Sequence, residues 1–516
     1  LNFVIKEIRE MFIIDKLRDR FAEAVIYLDI SGRVITSRSI YDLLSRPPSL
    51  YDIIFQIKSA CKDKRIIGCF MDISASNLDL SCYWEIKKAV EEFRETGRKV
   101  VALLRSGGIS EVLLADSADE VYMWDNSKIF LLGLAMDFTF FGGLSEKLGI
   151  SFEVVKSGKL KSVPDMLTKK KLPKSIKEDT ERLLNETVDA IKKSLNREKI
   201  KKNILSGILD ARAALEKGFI DDIVSRAKTA RELLTSTFGK ATPIFIGRGR
   251  KIRQLANMNM LFKTKRKRIA SVYLSGIIGS ANAQGYGFIN PLSFSKMLSR
   301  IESNQDIEGV VLRVNSRGGD VGGSEMLFDK ISSLSKIKPV AISVGSVAAS
   351  GGYLIISPAT KIFSTPFSIV GSIGVFLVKP FLKKFFDKFG IKNEIVKVGE
   401  YADIFQPTKK LTKSGRKMLE NMVKKYHSEF IKMVSSTRKI PEKSVERIAN
   451  GEVFSGEKAK ELKLVDEIGG IQDAISWTLS EAGITAPNIE EYPKTKFQDI
   501  LLDYINPELG EQNRYY

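Results

Sequence analysis

"RIIGCFMDISASNLDLSCYWEIKKAVEEF", residues 65–93, and "DIEGVVLRVNSRGGDVGGSEMLFDKISSL", residues 306–334, are one pattern written twice. An offset of 241 positions carries Gly68 onto Gly309. In both stretches a β-branched apolar run leads through a turn into an amphipathic helical pattern. Working outward, the same offset sets "SADEVY" (117–122) under "PATKIF" (358–363) and "KSGKLKS" (156–162) under "KVGEYAD" (397–403). Offsets of 239 and 245 then join "KKLPKS" (170–175) to "KKLTKS" (409–414), and "ALEKGFIDDI" (214–223) to "AKELKLVDEI" (459–468). Five blocks in one order at a nearly constant offset mean that the chain is two copies of one fold.

Within each copy short apolar runs alternate with helical patterns. In the second, "VVLRV" precedes the amphipathic 322–336, "PVAISV" precedes a Ser-Gly helix start, "KIFST" precedes "SIVGSIGV", and a long helix is expected over 412–438. Buried strands separated by helices predict an α/β domain with a largely parallel sheet. The expected organisation is an amphipathic segment over 1–20, a first copy over 21–238, a basic linker over 239–268, a second copy over 269–490 and a tail over 491–516, expected to be disordered.

A length of 516 residues, with 43% hydrophobic and 28% charged residues, is that of a folded chain too long for one core. Cys61, Cys69 and Cys82 lack both CxxC spacing and a histidine partner, which argues against a zinc site or a disulfide scaffold. No metal or other cofactor enters the expected chemistry. The net charge of +20 is densest in "RGRKIR" (248–253), "KTKRKR" (263–268) and "KKK" (169–171). These runs lack the interleaved aromatics of a single-strand binding groove and are expected to be solvated, with an acidic membrane surface, not nucleic acid, as the partner. No segment reaches the ~18–20 uncharged apolar residues needed to span a bilayer. "IFLLGLAMDFTFFGGL" (129–144) is broken by Asp137, and any anchor is expected to precede Leu1.

Aligning the copies separates what the fold requires from what one copy alone keeps. The offset takes Ser350, in "VGSVAASGGYLIIS" (344–357), to Ile109, Ser372 to Leu131, and Gly318 and Gly319 to Asn77 and Leu78. It also takes Lys161 to Ala402. These losses are complementary, so one composite site is expected, with Ser350 as nucleophile and Lys161 as its base across the interface between the copies. Lys156 and Lys159 are nearby alternatives, but Lys161 is the lysine that faces Ala402. A serine hydroxyl needs such a base near neutral pH. The only histidine, His427, faces Val188 and is read as structural or solvated. A lysine serves if its pKa falls from ~10.4 to ~7–8, about 4 kcal/mol against the ammonium form, which burial can supply. "NSRGG" (315–319) directly after a strand, and Gly351 after the serine at a helix start, are the expected oxyanion donors: Gly318, Gly319 and Gly351.

Together "LRVNSRGGDVGGSE", "SVAASGGYLIISPATKIFSTPFSIVGSIGV", "GKLKS" and "GEVFSGEKAKELKLVDEIGG" resemble the signal peptide peptidase A, or protease IV, family of bacterial serine proteases in its long tandem form, over nearly all of 20–490. The resemblance implies a tandem Clp protease/crotonase-like fold. It also implies a Ser/Lys dyad of Ser350 and Lys161, with Ser372 holding the lysine amine. The implied assembly is a homotetrameric bowl on the bacterial inner membrane that cleaves hydrophobic peptides and signal peptide remnants; the alternative is a cytoplasmic protein. The family commonly has proline where Arg317 stands, which puts an arginine beside the cleft and bears on substrate preference. Two other readings compete: a crotonase-like acyl-CoA enzyme, for which Asp320 is the only nearby carboxylate, and a catalytically silent membrane scaffold.

Overall fold

The computed structural model describes residues 23–32, 49–246, 267–281, 287–485 and 488–492. The amphipathic segment 1–20, the basic run 248–253, most of 263–268 and most of the tail lie outside the described residues.

Two compact units emerge, residues 1–133 with 189–264, and residues 134–188 with 265–516. The first is built on a six-stranded parallel sheet in the order Thr242–Ile246, Ala24–Gly32, Ile66–Ser76, Lys99–Leu104, Glu120–Trp124 and Asp222–Val224. The second has an eight-stranded sheet whose main path runs Val453–Ser455, Ile369–Gly371, Val340–Ala349, Ile307–Ser316, Arg268–Ser275 and Ile489–Tyr492. Lys361–Ser364 also pairs with Val340–Ala349 and carries Glu467–Ile468 beyond it. Among the described residues of this sheet, only the Val453–Ser455 pairing is antiparallel. Val310, Leu312, Val340, Ile342 and Val344 are completely buried, as expected of strands covered on both faces.

The duplication extends to hydrogen bonds that set element ends. Asp79 caps helix Leu80–Arg94 by accepting from the Cys82 amide at 2.9 Å, and Asp320, 241 positions on, caps Val321–Ser335 by accepting from the Gly323 amide at 2.8 Å. Asp221 accepts from the Val121 amide and Asp466 from the Ile362 amide, each at 2.7 Å. Each copy also closes with an edge strand, Thr242–Ile246 beside Ala24–Leu28 and Ile489–Tyr492 beside Ile269–Val272. The first of these lies inside the expected linker and the second overlaps the expected tail. Both runs are too short for their periodicity to stand out from the neighbouring polar sequence.

The compact units do not coincide with the sequence repeats. Residues 134–188 belong to the first repeat by sequence and to the second unit by packing. Ser151–Lys156 pairs antiparallel with Phe376–Phe381, from Lys156 opposite Phe376 to Ser151 opposite Phe381. Val155 buries its side chain against Val375, Leu419 and Val423. Glu153 accepts from the Leu411 amide at 2.8 Å and lies 3.5 Å from the fully buried Lys379 amine and 3.3 Å from Arg416. This ladder and its charged clasp hold the "GKLKS" segment in the unit that carries Ser350. Among the described residues, no helix is long and apolar enough to cross a membrane.

Candidate active site

Strands Val340–Ala349 and Ile369–Gly371 run parallel with Ala349 opposite Gly371, and each ends in a serine. Ser350 has φ 56° and Ser372 φ 54°, two of only four described non-glycine residues in the left-handed region. Such backbone is costly for an L-residue and persists where neighbouring bonds impose it. Here the Ser350 amide donates to the Gly371 carbonyl at 2.8 Å, and the Ser372 amide to the Glu452 carbonyl at 2.6 Å. Helix Gly351–Ile356 starts directly after Ser350, whose carbonyl accepts from the amides of Tyr353 and Leu354. Its side chain makes no capping bond, which leaves the half-buried hydroxyl uncommitted to the helix.

Lys161 reaches this pair of strand ends from the loop after Ser151–Lys156. Its Nζ donates to the Ser372 carbonyl at 2.7 Å and to Ser372 Oγ at 2.9 Å. The residue is only 4% exposed, and burial lowers its pKa from 10.5 to about 7. A neutral amine has two N–H bonds and one lone pair; with both N–H groups on Ser372, the lone pair is left for another proton. Lys156 is committed elsewhere, donating to Asp165 at 2.9 Å and to the Lys161 carbonyl at 3.1 Å, and Lys159 is exposed. Lys161, Ser350 and Ser372 all belong to the second compact unit, so the two sequence copies meet within one unit and not across a boundary between units. The first copy supplies the lysine by lending a segment.

The glycine-rich turn comes back against the serine. A β-carbon on Gly318 would lie 2.6 Å from the Gly351 nitrogen and 2.9 Å from the Ser350 β-carbon, and one on Gly351 would lie 3.4 Å from the Gly319 nitrogen. No side chain fits there. The Gly318 amide donates to Ser316 Oγ at 3.2 Å, whereas the amides of Gly319 and Gly351 have no acceptor among the described residues. The Ser324 hydroxyl borders this recess, 2.2 Å from where a Gly351 β-carbon would stand, and two free amide donors beside Ser350 suit a developing oxyanion. Asp320, the carboxylate that the acyl-CoA reading would use, is exposed and caps the following helix through Oδ1. Arg317 is exposed beside the turn.

The family model for peptidase family S49 matches residues 92–237 and 332–485, together more than half of the chain and once in each copy. The chain belongs to peptidase family S49. It is 26% identical to Protease 4 of Salmonella typhi over 92% of this chain and 81% of that protein. To the chloroplastic serine protease SPPA of Arabidopsis thaliana it is 28% identical over 82% of this chain and 64% of that protein. Among solved structures, the ClpP protease catalytic domain from Plasmodium falciparum aligns with 39% of this chain and 84% of its own at 12% identity and a TM-score of 0.26. The S49 chain is thus a peptidase with a tandemly duplicated α/β fold.

In the first copy of this S49 chain the equivalent recess is filled. Tyr83 stands where the second copy has Ser324, and Glu111 where it has Gly352. The Tyr83 hydroxyl donates to Glu111 Oε1 at 2.6 Å, and the Gly108 amide to Glu111 Oε2 at 2.7 Å. Both residues are buried. The Gly108 amide belongs to the N-cap of helix Ile109–Ala115, and Glu111 closes its capping box.

Sequence reasoning set His427 aside, and the structure puts it behind the lysine loop. Its Nδ1 lies 2.6 Å from Ser157 Oγ and its Nε2 2.9 Å from the Ala449 carbonyl. Ser157 lies in the quoted "KSGKLKS" run, but nothing in the sequence connects that run with residue 427 or 449. The contact is purely tertiary.

Proposed function

We propose that this S49 peptidase is a serine endopeptidase working through a Ser350–Lys161 dyad. Neutral Lys161 takes the proton of Ser350 as the hydroxyl oxygen attacks the scissile carbonyl carbon. The amides of Gly319 and Gly351 receive the oxyanion, with Gly318 shaping the turn rather than donating. Lys161 then gives its proton to the departing amine, and water, deprotonated by the same amine, releases the acyl group and regenerates Ser350. Ser372 aims the amine throughout. The observation that carries this reading is the buried Lys161 amine held by Ser372, one strand across from a left-handed serine with free amides behind it.

The substrates in this reading are apolar peptides, including signal peptide remnants, at an acidic membrane surface. Val163, two residues past Lys161, is 52% exposed, and Met136, Phe141 and Leu144 are exposed on the same segment, which supports an apolar approach to the site. The net charge of +20 supports attraction to an anionic surface. The expected homotetramer belongs to the same proposal, and the exposed Phe389, Val396 and Val398 support self-association.

The test is turnover of a fluorogenic apolar peptide by the purified chain. Ser350→Ala and Lys161→Ala are each expected to lose at least about a thousandfold in kcat while keeping the fold. Turnover retained by either variant overturns the dyad.

A further inference from the structure

Lys161 owes its seat to two backbone segments that touch. In one, residues 157–161, the Leu160 amide donates to the Asn450 carbonyl at 2.8 Å, and a β-carbon on Gly158 would lie 2.7 Å from that carbonyl. In the other, residues 449–452, the Gly451 amide donates to Ile373 and the Glu452 carbonyl accepts from the Ser372 amide. Gly451 lies so close under the loop that a β-carbon there would be 2.7 Å from the Lys161 nitrogen. Base and orienting serine are therefore held by the same stretch of chain.

His427, on helix Lys413–Arg438, bonds to the first residue of each segment, Ser157 on one side and Ala449 on the other. A carbonyl oxygen only accepts, so Nε2 carries the ring proton and donates to Ala449. The neutral ring then has its lone pair on Nδ1, where it accepts the Ser157 hydroxyl. We propose that His427, as this neutral tautomer, is the positioning residue that clamps the lysine loop to the 449–452 stretch and so keeps water from the Lys161 amine.

This inference rests on the Ser350–Lys161 reading. Burial and the neighbouring Lys161 charge both disfavour the imidazolium, while the Ala449 carbonyl favours it. Among the other charged groups nearby, Lys156 is paired with Asp165, Glu452 lies 3.2 Å from Arg182, and Lys424, one turn back on the same helix, is exposed. Lys161 is thus the charge that acts on the ring. Removing the clamp lets the loop part and water reach the amine, which raises the pKa of Lys161 toward that of a solvated lysine.

The experiment is the pH profile of kcat/KM on the fluorogenic peptide for wild type, His427→Ala, Ser157→Ala, the double variant and Lys161→Ala, with a melting curve for each. In wild type the rising limb is expected near pH 7. In His427→Ala it is expected about one pH unit higher, so that activity falls about fivefold at pH 7 and is mostly regained by pH 9. Ser157→Ala is expected to move it the same way by less, and the double variant no further than His427→Ala. An unmoved limb, or an equal loss at every pH, in a folded His427→Ala protein overturns the clamp; if that variant does not fold, Ser157→Ala decides by the same criterion. Undiminished turnover in Lys161→Ala would instead overturn the dyad itself.

Discussion

Ser350 and Ser372 stand side by side at the ends of two paired parallel strands, one residue beyond the Ala349–Gly371 register pair, and both carry left-handed backbone. In the proposed mechanism the first attacks, while the second holds the Lys161 amine, and each conformation is fixed by an amide hydrogen bond to a carbonyl outside its own strand. The pairing brings two strained residues to one place, as expected where function outweighs local comfort.

Ser372 separates strain from chemistry. Ser372→Gly and Ser372→Ala both remove the hydroxyl that Lys161 uses, and each is expected to lower kcat about tenfold or more. Only glycine relieves the left-handed backbone, so Ser372→Gly is expected to be more stable than Ser372→Ala by about 1 kcal/mol. Thermal melts of the two proteins check the difference.

The buried lysine makes stability depend on pH in a defined direction. Its folded pKa, about 7, lies below the 10.5 of an unperturbed lysine, so between these values the unfolded chain binds more protons and stability rises with pH. Below pH 7 the full penalty, about 5 kcal/mol, is present. Lys161→Met removes the titration. Urea unfolding is expected to show wild type gaining about 2 kcal/mol relative to Lys161→Met between pH 7 and pH 9.

The turn beside Ser350 has no room for a side chain at Gly318. Gly318→Ala would put a β-carbon 2.6 Å from the Gly351 nitrogen at a backbone φ of 88°. Loss of about a hundredfold in kcat, with destabilisation of about 2 kcal/mol, is expected. Gly322→Ala, whose nearest contact would be Asp320 Oδ1 at 3.5 Å, serves as the control and is expected to keep full activity.

The borrowed segment depends on its clasp. Glu153→Gln weakens the hold on Lys379, Arg416 and the Leu411 amide together. It is expected to cost about 2 kcal/mol in a urea titration. Activity should fall in step with detachment of residues 151–161, read as new protease cleavage in that stretch.

Much of this was legible in the sequence because duplication supplies its own control. Alternating apolar runs and helical patterns within each copy pointed to the α/β architecture, the offset between copies drew attention to Ser350 and Lys161, and the family resemblance drew attention to Ser372. The destination of residues 134–188 was not legible. Repeat boundaries follow ancestry, whereas compactness follows the ladder between Ser151–Lys156 and Phe376–Phe381, and antiparallel pairing between distant segments leaves no local mark. The short edge strand Thr242–Ile246 was read as linker because five residues carry little periodicity. His427 was read as structural or solvated, and its contacts were not legible for a related reason: Ser157 and Ala449 meet it only after folding.

The most direct measurement is the pH dependence of covalent labelling by an active-site serine probe, with the modified residue identified by peptide mapping, in wild type and Lys161→Ala. Labelling confined to Ser350, rising to half its maximal rate near pH 7 and abolished in Lys161→Ala, is the expected result. Labelling of Ser350 at the same rate and with the same pH dependence in Lys161→Ala would contradict it.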